Sequence, residues 1–260
     1  MDKYIEQLLS DFYCSMVSYG VLLKNIEDSI NNTVARKNLA EYLKNGCPQF
    51  ESKKTQKPIL DYSLARKILG KNFIPPEDVM DYDARCFYNS ELIEQFHQSF
   101  LSLNNRLEWF KANNLTLLAS PPKPISAMDI RSSFLDIRPR FDSDHKEIKF
   151  PCTDKTSTGW LIIQKEPSQK SFNKTLLEQK ELLQSNEYIP NAADISWMIA
   201  LFKALHKQLL FSRCYIRTSS IGSEKNCFCV GDTIRGGLMV DDYSNNFRYD
   251  FVGLVSAIQI

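Results

Sequence analysis

The segment from Gly159 to Ile260 carries the pattern that most constrains the fold of this chain. A short apolar run at 160–163 predicts a buried strand, and two helical segments follow it. Four further strands are predicted within 214–253, and the middle ones are separated by turns that contain Gly or Asn. Consecutive short strands that come after helices favour an α+β domain with a mainly antiparallel sheet over a doubly wound parallel sheet.

The two helices of this segment have different start signals. Ser171 is a suitable N-cap residue for a helix that runs through Leu183. Asn191 and Asp194 stand three residues apart directly after Pro190, which predicts a capped N-terminus for the second helix. We expect that helix to bury one apolar face, formed by Ile195, Met198, Ile199, Phe202, Leu205 and Leu209.

The chain before residue 118 reads as helical. Apolar residues recur at helical spacing from residue 5 to 16, and further helices are expected at 34–44, at 63–69 with Asp61 as cap, and directly after Pro75. The clearest one begins near Ser90. Its apolar stripe consists of Leu92, Phe96, Phe100, Leu103, Leu107 and Phe110.

A proline-containing segment separates these two regions. Residues 119–126 hold three prolines and cannot form the interior of a helix. A strand is predicted just before them at 115–119 and a short one at 133–137. We therefore expect a helical region at 1–118, an irregular linker at 119–158 and an α+β domain at 159–260.

Composition favours a globular protein inside the cell. The chain has 260 residues, 32 basic and 31 acidic side chains, and a formal charge of +1. Its seven cysteines are scattered, and an odd number fits reduced thiols better than a disulfide framework. The charged N-terminus predicts an amphipathic helix and not a signal peptide, and the richest apolar stretch is too short to span a bilayer. We expect a cytoplasmic protein that does not enter a membrane.

Catalytic and cofactor motifs are missing from the sequence. Cys227 and Cys229 point to the same face of a predicted strand, but a structural zinc site needs a second closely spaced pair. None of the three histidines belongs to an HExxH motif, and the glycines of 231–237 match no phosphate-binding spacing. We therefore predict no metal and no cofactor.

Five residues are candidates for a ligand-binding site. Arg217 ends a predicted strand and is followed by hydroxyl residues that include Ser219 and Ser220, an arrangement suited to a carboxylate or phosphate. Lys174 and Glu178 are placed at i and i+4 on a predicted helix face. The alternatives are an arginine paired with a neighbouring acid and a Lys–Glu ion pair at the surface.

A basic and aromatic stretch at 131–141 raises the possibility of nucleic-acid binding. Arg131, Arg138 and Arg140 lie among Phe134 and Phe141. Four aspartates are interleaved with them and weaken the field that a phosphate backbone would need. Internal ion pairs are the better interpretation, and nucleic acid is not an expected partner.

Several phrases between residues 61 and 260 occur in a familiar order, among them 64–79, 159–183, 189–197, 210–220 and 230–240. Their layout resembles a family of uncharacterised bacterial hypothetical proteins. The resemblance implies a bacterial source. It implies nothing about activity, fold or ligand, because none is established for that family.

The leading hypothesis is a non-enzymatic binding or assembly protein that acts on a protein partner or on a second copy of itself. A large aromatic inventory supports it. The alternatives are an enzyme of unknown class with a polar pocket near Arg217 and a weak nucleic-acid-binding protein.

Overall fold

The computed structural model describes residues 62–82, 86–127, 129–130, 154–222, 226–232 and 238–259. Contacts divide the chain into Met1–Leu60 and Asp61–Ile260, and the description concerns the second unit. The helices predicted at 5–16 and 34–44, the strand at 133–137 and the arginines of 131–140 lie outside the described residues.

Helices and strands alternate irregularly along this unit. The helices are α1 (Ser63–Leu69), α2 (Pro76–Tyr82), α3 (Ser90–Leu103), α4 (Leu107–Ala112), α5 (Leu176–Lys180) and α6 (Ala192–His206). The strands are β1 (Phe73–Ile74), β2 (Leu115–Ala119), β3 (Trp160–Gln164), β4 (Glu187–Tyr188), β5 (Tyr215–Ile221), β6 (Cys227–Asp232), β7 (Leu238–Tyr243), β8 (Val252–Gly253) and β9 (Ala257–Ile258). Short 3-10 turns lie at Gly70–Asn72, Asn104–Arg106 and Gln169–Ser171.

The first sheet has five strands in the order β1-β2-β3-β9-β4. Its long central pair, β2 with β3, is antiparallel and almost entirely buried, as expected for strands without polar alternation. The β1–β2 pair is parallel. Strands from both sides of the proline-containing segment thus share one sheet, while the predicted three-part division of the chain stays a prediction.

The helices before β2 cover this sheet with aromatic side chains. Phe96 and Phe100 of α3 lie 5.2 and 5.8 Å from the Trp160 ring of β3, measured between ring centroids. The indole nitrogen of Trp160 donates a hydrogen bond to the carbonyl of Phe96. The predicted stripe on α3 and α4 is therefore confirmed from Phe96 onwards as core; Leu92 is only half-buried.

The second sheet has four strands in the order β7-β6-β5-β8. β5, β6 and β7 form the predicted antiparallel meander, whereas β8 pairs with β5 in parallel. The last of the four predicted strands was expected over 247–253. Only Val252 and Gly253 pair, as β8, so the predicted extent is wrong. The α+β class with mainly antiparallel pairing is confirmed.

Helix α6 contacts both sheets. It packs against β5, β6 and β7, and the indole nitrogen of Trp197 donates to the carbonyl of Ala119 at the end of β2. Because it has neighbours on all sides, every residue from Ala192 to Phe202 is buried, including residues outside the predicted face. The predicted face is wrong at Leu209, which lies beyond the end of α6 and is 43% exposed, and Leu205 is only half-buried. The predicted cap is confirmed, since the Asn191 side chain accepts a hydrogen bond from the Asp194 amide.

The helix predicted from Ser171 to Leu183 is wrong. Only Leu176–Lys180 is helical, and its N-cap is Thr175, which forms a capping box with Glu178. Ser171 instead ends a 3-10 turn, where its hydroxyl donates to the Ser168 carbonyl and accepts from the Leu254 amide. The Leu254 amide thus occupies the hydroxyl oxygen that Ser171 would need to cap a helix.

Candidate functional site

Arg217 lies in the middle of the four-stranded sheet. Its Cα partner on β6 is Cys229, whose partner on β7 is Asp241, so the three residues form one row across the strands. Residues opposite one another in a sheet share a face. The row places one cation, one thiol and one carboxyl group side by side.

The guanidinium of Arg217 is fully buried and poorly satisfied. Its side chain is 0% exposed, and Nη1 donates one long hydrogen bond of 3.3 Å to the Ser244 carbonyl. Nε and Nη2 have no hydrogen-bond partner among the described residues. A buried charge that is incompletely hydrogen-bonded is unfavourable, so this is the most unusual electrostatic feature in the described part of the chain.

The serines predicted to assist Arg217 do not gather around it. Ser220 is buried, and its hydroxyl accepts a hydrogen bond of 2.8 Å from the Ala192 amide at the start of α6. Ser219 is exposed, and its amide donates to the Pro190 carbonyl. Both residues hold the loop before α6 against β5.

Lys174 and Glu178 do not share a helix face, because Lys174 precedes the N-cap of α5. Lys174 instead forms an isolated β-bridge with Tyr249. Glu178 accepts from the Thr175 amide, and Arg248 binds its carboxylate, with Nε 3.1 Å from Oε2. The Thr175 amide first, and then Arg248, hold the pKa of Glu178 at about 2. Glu178 therefore has a structural role that joins α5 to the segment before β8.

Cys227 and Cys229 lie on one face of β6, as their spacing predicts, and both are buried as free thiols. Burial raises the pKa of each thiol, although the Arg217 cation acts in the opposite direction. The thiols are therefore protonated and unreactive at neutral pH. Within the described ranges, no three metal-binding side chains are grouped together.

A polar cluster of Tyr62, Glu77 and His97 was not apparent from the sequence. His97 Nε2 lies 3.6 Å from Glu77 Oε1, and the rings of His97 and Tyr62 are 5.5 Å apart. Within the described ranges, one polar atom of each residue is buried without a hydrogen-bond partner. Burial first, and then the charge of Glu77, raise the pKa of Tyr62. No motif spacing could have revealed this cluster, because its members come from α2, α3 and the residue before α1.

Five aromatic rings lie together on or beside the four-stranded sheet, and they were not predicted as a group. We call them the aromatic surface: Tyr215, Tyr243, Phe247, Tyr249 and Phe251. Tyr243 lies 5.2 Å from Tyr215, 5.1 Å from Tyr249 and 5.4 Å from Phe251. Phe247 is 65% exposed and Phe251 is 37% exposed. Aromatic residues at alternate positions 247, 249 and 251 are the signal that could have found it.

The chain matches no protein family, no curated protein and no solved structure. In the described part of the chain, every helix is too short or too polar to cross a membrane.

Proposed function

We propose that this is a non-enzymatic cytoplasmic assembly protein that associates with a second copy of itself through the aromatic surface. The observation that carries the proposal is a network of six ring contacts among these five rings, one of which, Phe247, is largely exposed. A bacterial source and a cytoplasmic location belong to the same proposal. They are supported by the sequence resemblance and by the odd number of scattered cysteines.

Aromatic and arginine side chains are enriched where proteins meet. The aromatic surface has both, because Arg248 is exposed between Phe247 and Tyr249. Burying a phenylalanine that was exposed contributes about 1.5–3 kcal/mol. Phe247 and Phe251 together therefore supply a substantial driving force, while the tyrosines mostly make edge-on contacts that hold the rings in place.

Charge selects the second copy as the occupant. Beside the segment 247–251, Lys174 and Arg248 are balanced by Glu178 and Asp250, so two copies of this segment meet no net repulsion. The segment 247–251 alternates aromatic and charged residues about Tyr249. A two-fold axis through Tyr249 would place Arg248 opposite Asp250 of the second copy and Phe247 opposite Phe251. The acidic residues Asp241, Asp242 and Asp250 make the same surface unsuitable for nucleic-acid phosphates.

Sedimentation velocity across a concentration series tests the proposal. We expect the wild-type chain to reach twice its 30.0 kDa mass, and Phe247→Ser to shift the equilibrium to the monomer. Leu101→Ser is the matched control, because Leu101 is 53% exposed on α3 and is not part of the aromatic surface. A wild-type chain that stays monomeric, or a Leu101→Ser variant that dissociates equally, would contradict the proposal. Dimers that survive Phe247→Ser would place the interface elsewhere.

The second candidate is an enzyme of unknown class with an anion site at Arg217. The two unpaired nitrogen atoms of that buried guanidinium favour it, since a carboxylate or phosphate would satisfy both. The structural hydrogen bonds of Ser220 and Glu178 weigh against it. Arg217→Met separates the two candidates: an anion site predicts that phosphate stabilises the wild type but not this variant.

A further inference from the structure

A pocket lies between α4, the ends of β2 and β3, and the segments at 182–187 and 254–256. Its volume is about 200 Å³. Pockets for drug-sized ligands are larger, at roughly 300–1,000 Å³. The space therefore suits a molecule built on a single ring.

Three polar side chains of the pocket have unused hydrogen-bonding capacity. Gln164, Ser168 and Gln184 line it, and within the described ranges none of these side chains makes a hydrogen bond. They come from β3, from the turn after it and from the loop before β4. Together they present donors and acceptors from different directions, as recognition of a molecule with several hydroxyl or amide groups requires.

The charges around the pocket favour an uncharged ligand. Glu187 is the charged residue of the described lining, and an anion would face its carboxylate without a cation to bind it. That carboxylate would attract a cation, but each of its oxygens already accepts a hydrogen bond, from the Ser256 hydroxyl at 3.0 Å and from the Gln184 amide at 2.9 Å. A cation on the Trp109 ring would also be repelled by the Arg106 guanidinium, which lies 5.1 Å from the centroid of that ring.

Trp109 gives the pocket an aromatic side chain. Its side chain is 40% exposed, and Leu115 and Leu182 lie beside it in the lining. A ligand that fits therefore has one apolar face and a rim of uncharged polar groups. We propose that this pocket binds an uncharged polyhydroxylated ring of the monosaccharide class. The site is independent of the proposed self-association, because none of its lining residues belongs to the aromatic surface.

Tryptophan fluorescence provides a selective readout. The chain has three tryptophans, of which Trp160 is 5% exposed and Trp197 is 0% exposed, so acrylamide quenches mainly Trp109. The probes are glucose, galactose, mannose and N-acetylglucosamine at millimolar concentration, with saturation-transfer NMR as a second measurement. We expect at least one of them to protect Trp109 from quenching. Glucuronate and glucosamine, the anionic and cationic counterparts of glucose, should protect it less than the neutral sugars.

Two glutamine variants test the geometry. Gln184→Ala removes an exposed side chain of the pocket and should weaken sugar binding about threefold to tenfold, the loss expected for one hydrogen bond. Gln95→Ala on α3 is the matched control, since Gln95 is exposed and does not line the pocket, and it should bind like wild type. Phe247→Ser should also bind sugar normally, which separates this site from the assembly proposal. The inference is overturned if no neutral sugar protects Trp109 or gives a saturation-transfer signal, if glucuronate binds as well as glucose, or if Gln184→Ala leaves the affinity unchanged.

Discussion

Replacing Arg217 by methionine should stabilise the protein. Methionine has a similar length and no charge, and it fills irregular space in a core. Arg217 is 0% exposed, and two of its nitrogen atoms, Nε and Nη2, have no hydrogen-bond partner. The substitution removes a buried cation whose desolvation is not offset within the described part of the chain.

The size of the effect follows from these contacts. Each unsatisfied buried donor costs about 1–3 kcal/mol, so Nε and Nη2 together cost roughly 2–6 kcal/mol. The substitution also loses the 3.3 Å hydrogen bond from Nη1 to the Ser244 carbonyl, which contributes about 1 kcal/mol. Apolar replacement of buried charges is often stabilising by about 1–4 kcal/mol. We therefore expect the free energy of unfolding to rise by roughly 1–4 kcal/mol.

Urea unfolding followed by circular dichroism measures this difference directly, and the slope of the transition should stay unchanged. Arg213→Met is the matched control, because Arg213 is exposed and its replacement should change stability by no more than about 0.5 kcal/mol. If Arg217→Met instead lowers the free energy of unfolding by more than about 1 kcal/mol, the guanidinium has a stabilising partner and the reasoning is refuted. Stabilisation of the wild type, but not of the variant, by added phosphate would then support the anion-site candidate.

Two further predictions concern the helix caps. Asn191→Ala should lower the free energy of unfolding by about 1 kcal/mol in the same urea assay, because the Asp194 amide loses its cap; an unchanged midpoint would contradict the role of this cap. The Glu178 carboxyl, followed by NMR, should titrate near pH 2, and Arg248→Gln should raise its pKa only part of the way to 4.5, since the Thr175 amide remains. Because the folded pKa is lowered, the stability contribution of Glu178 is present above pH 4.5 and is lost as the pH falls towards 2; titration at pH 4.5 in the wild type would disprove this account.

Elements with a strong local signal were predicted well. The apolar runs of β2 and β3 need no polar alternation because both strands are covered, and the cap at Asn191 is a local interaction between residues three positions apart. The meander of β5, β6 and β7 was predicted because these short strands follow one another with few residues between them. In each case, nearby residues supply the interaction that defines the element.

Elements that depend on distant contacts were predicted poorly. The helix expected from Ser171 fails because Ser171 bonds Leu254, which lies far along the chain. The segment 247–251 has the alternation of a strand, yet Tyr249 bridges Lys174 and only 252–253 pair with β5. The sequence of α6 predicts a single apolar face only when its alanines are counted as exposed. Ala192, Ala193 and Ala200 are in fact buried, since two sheets approach the helix closely.

The candidate sites are harder to predict for the same reason. The neighbours of Arg217, Cys229 and Asp241, are defined by strand register, which the sequence alone does not specify. The pocket draws its lining from segments between Trp109 and Ser256, and no spacing rule connects them. Arg217, Ser219 and Ser220 were predicted as one candidate site, and the fold directs the Ser220 hydroxyl to Ala192 and the Ser219 amide to Pro190.

The contact between Arg217 and Ser244 links the buried row to the aromatic surface. Ser244 directly follows β7 and precedes the residues that carry Phe247, Tyr249 and Phe251. The single hydrogen bond of the guanidinium therefore holds the start of the segment that presents those rings. Asn245 acts alongside it, because its side chain accepts from the Cys227 amide on the neighbouring strand. An arginine that we predict to be costly for stability is thus placed where its hydrogen bond holds the segment that carries the proposed assembly surface.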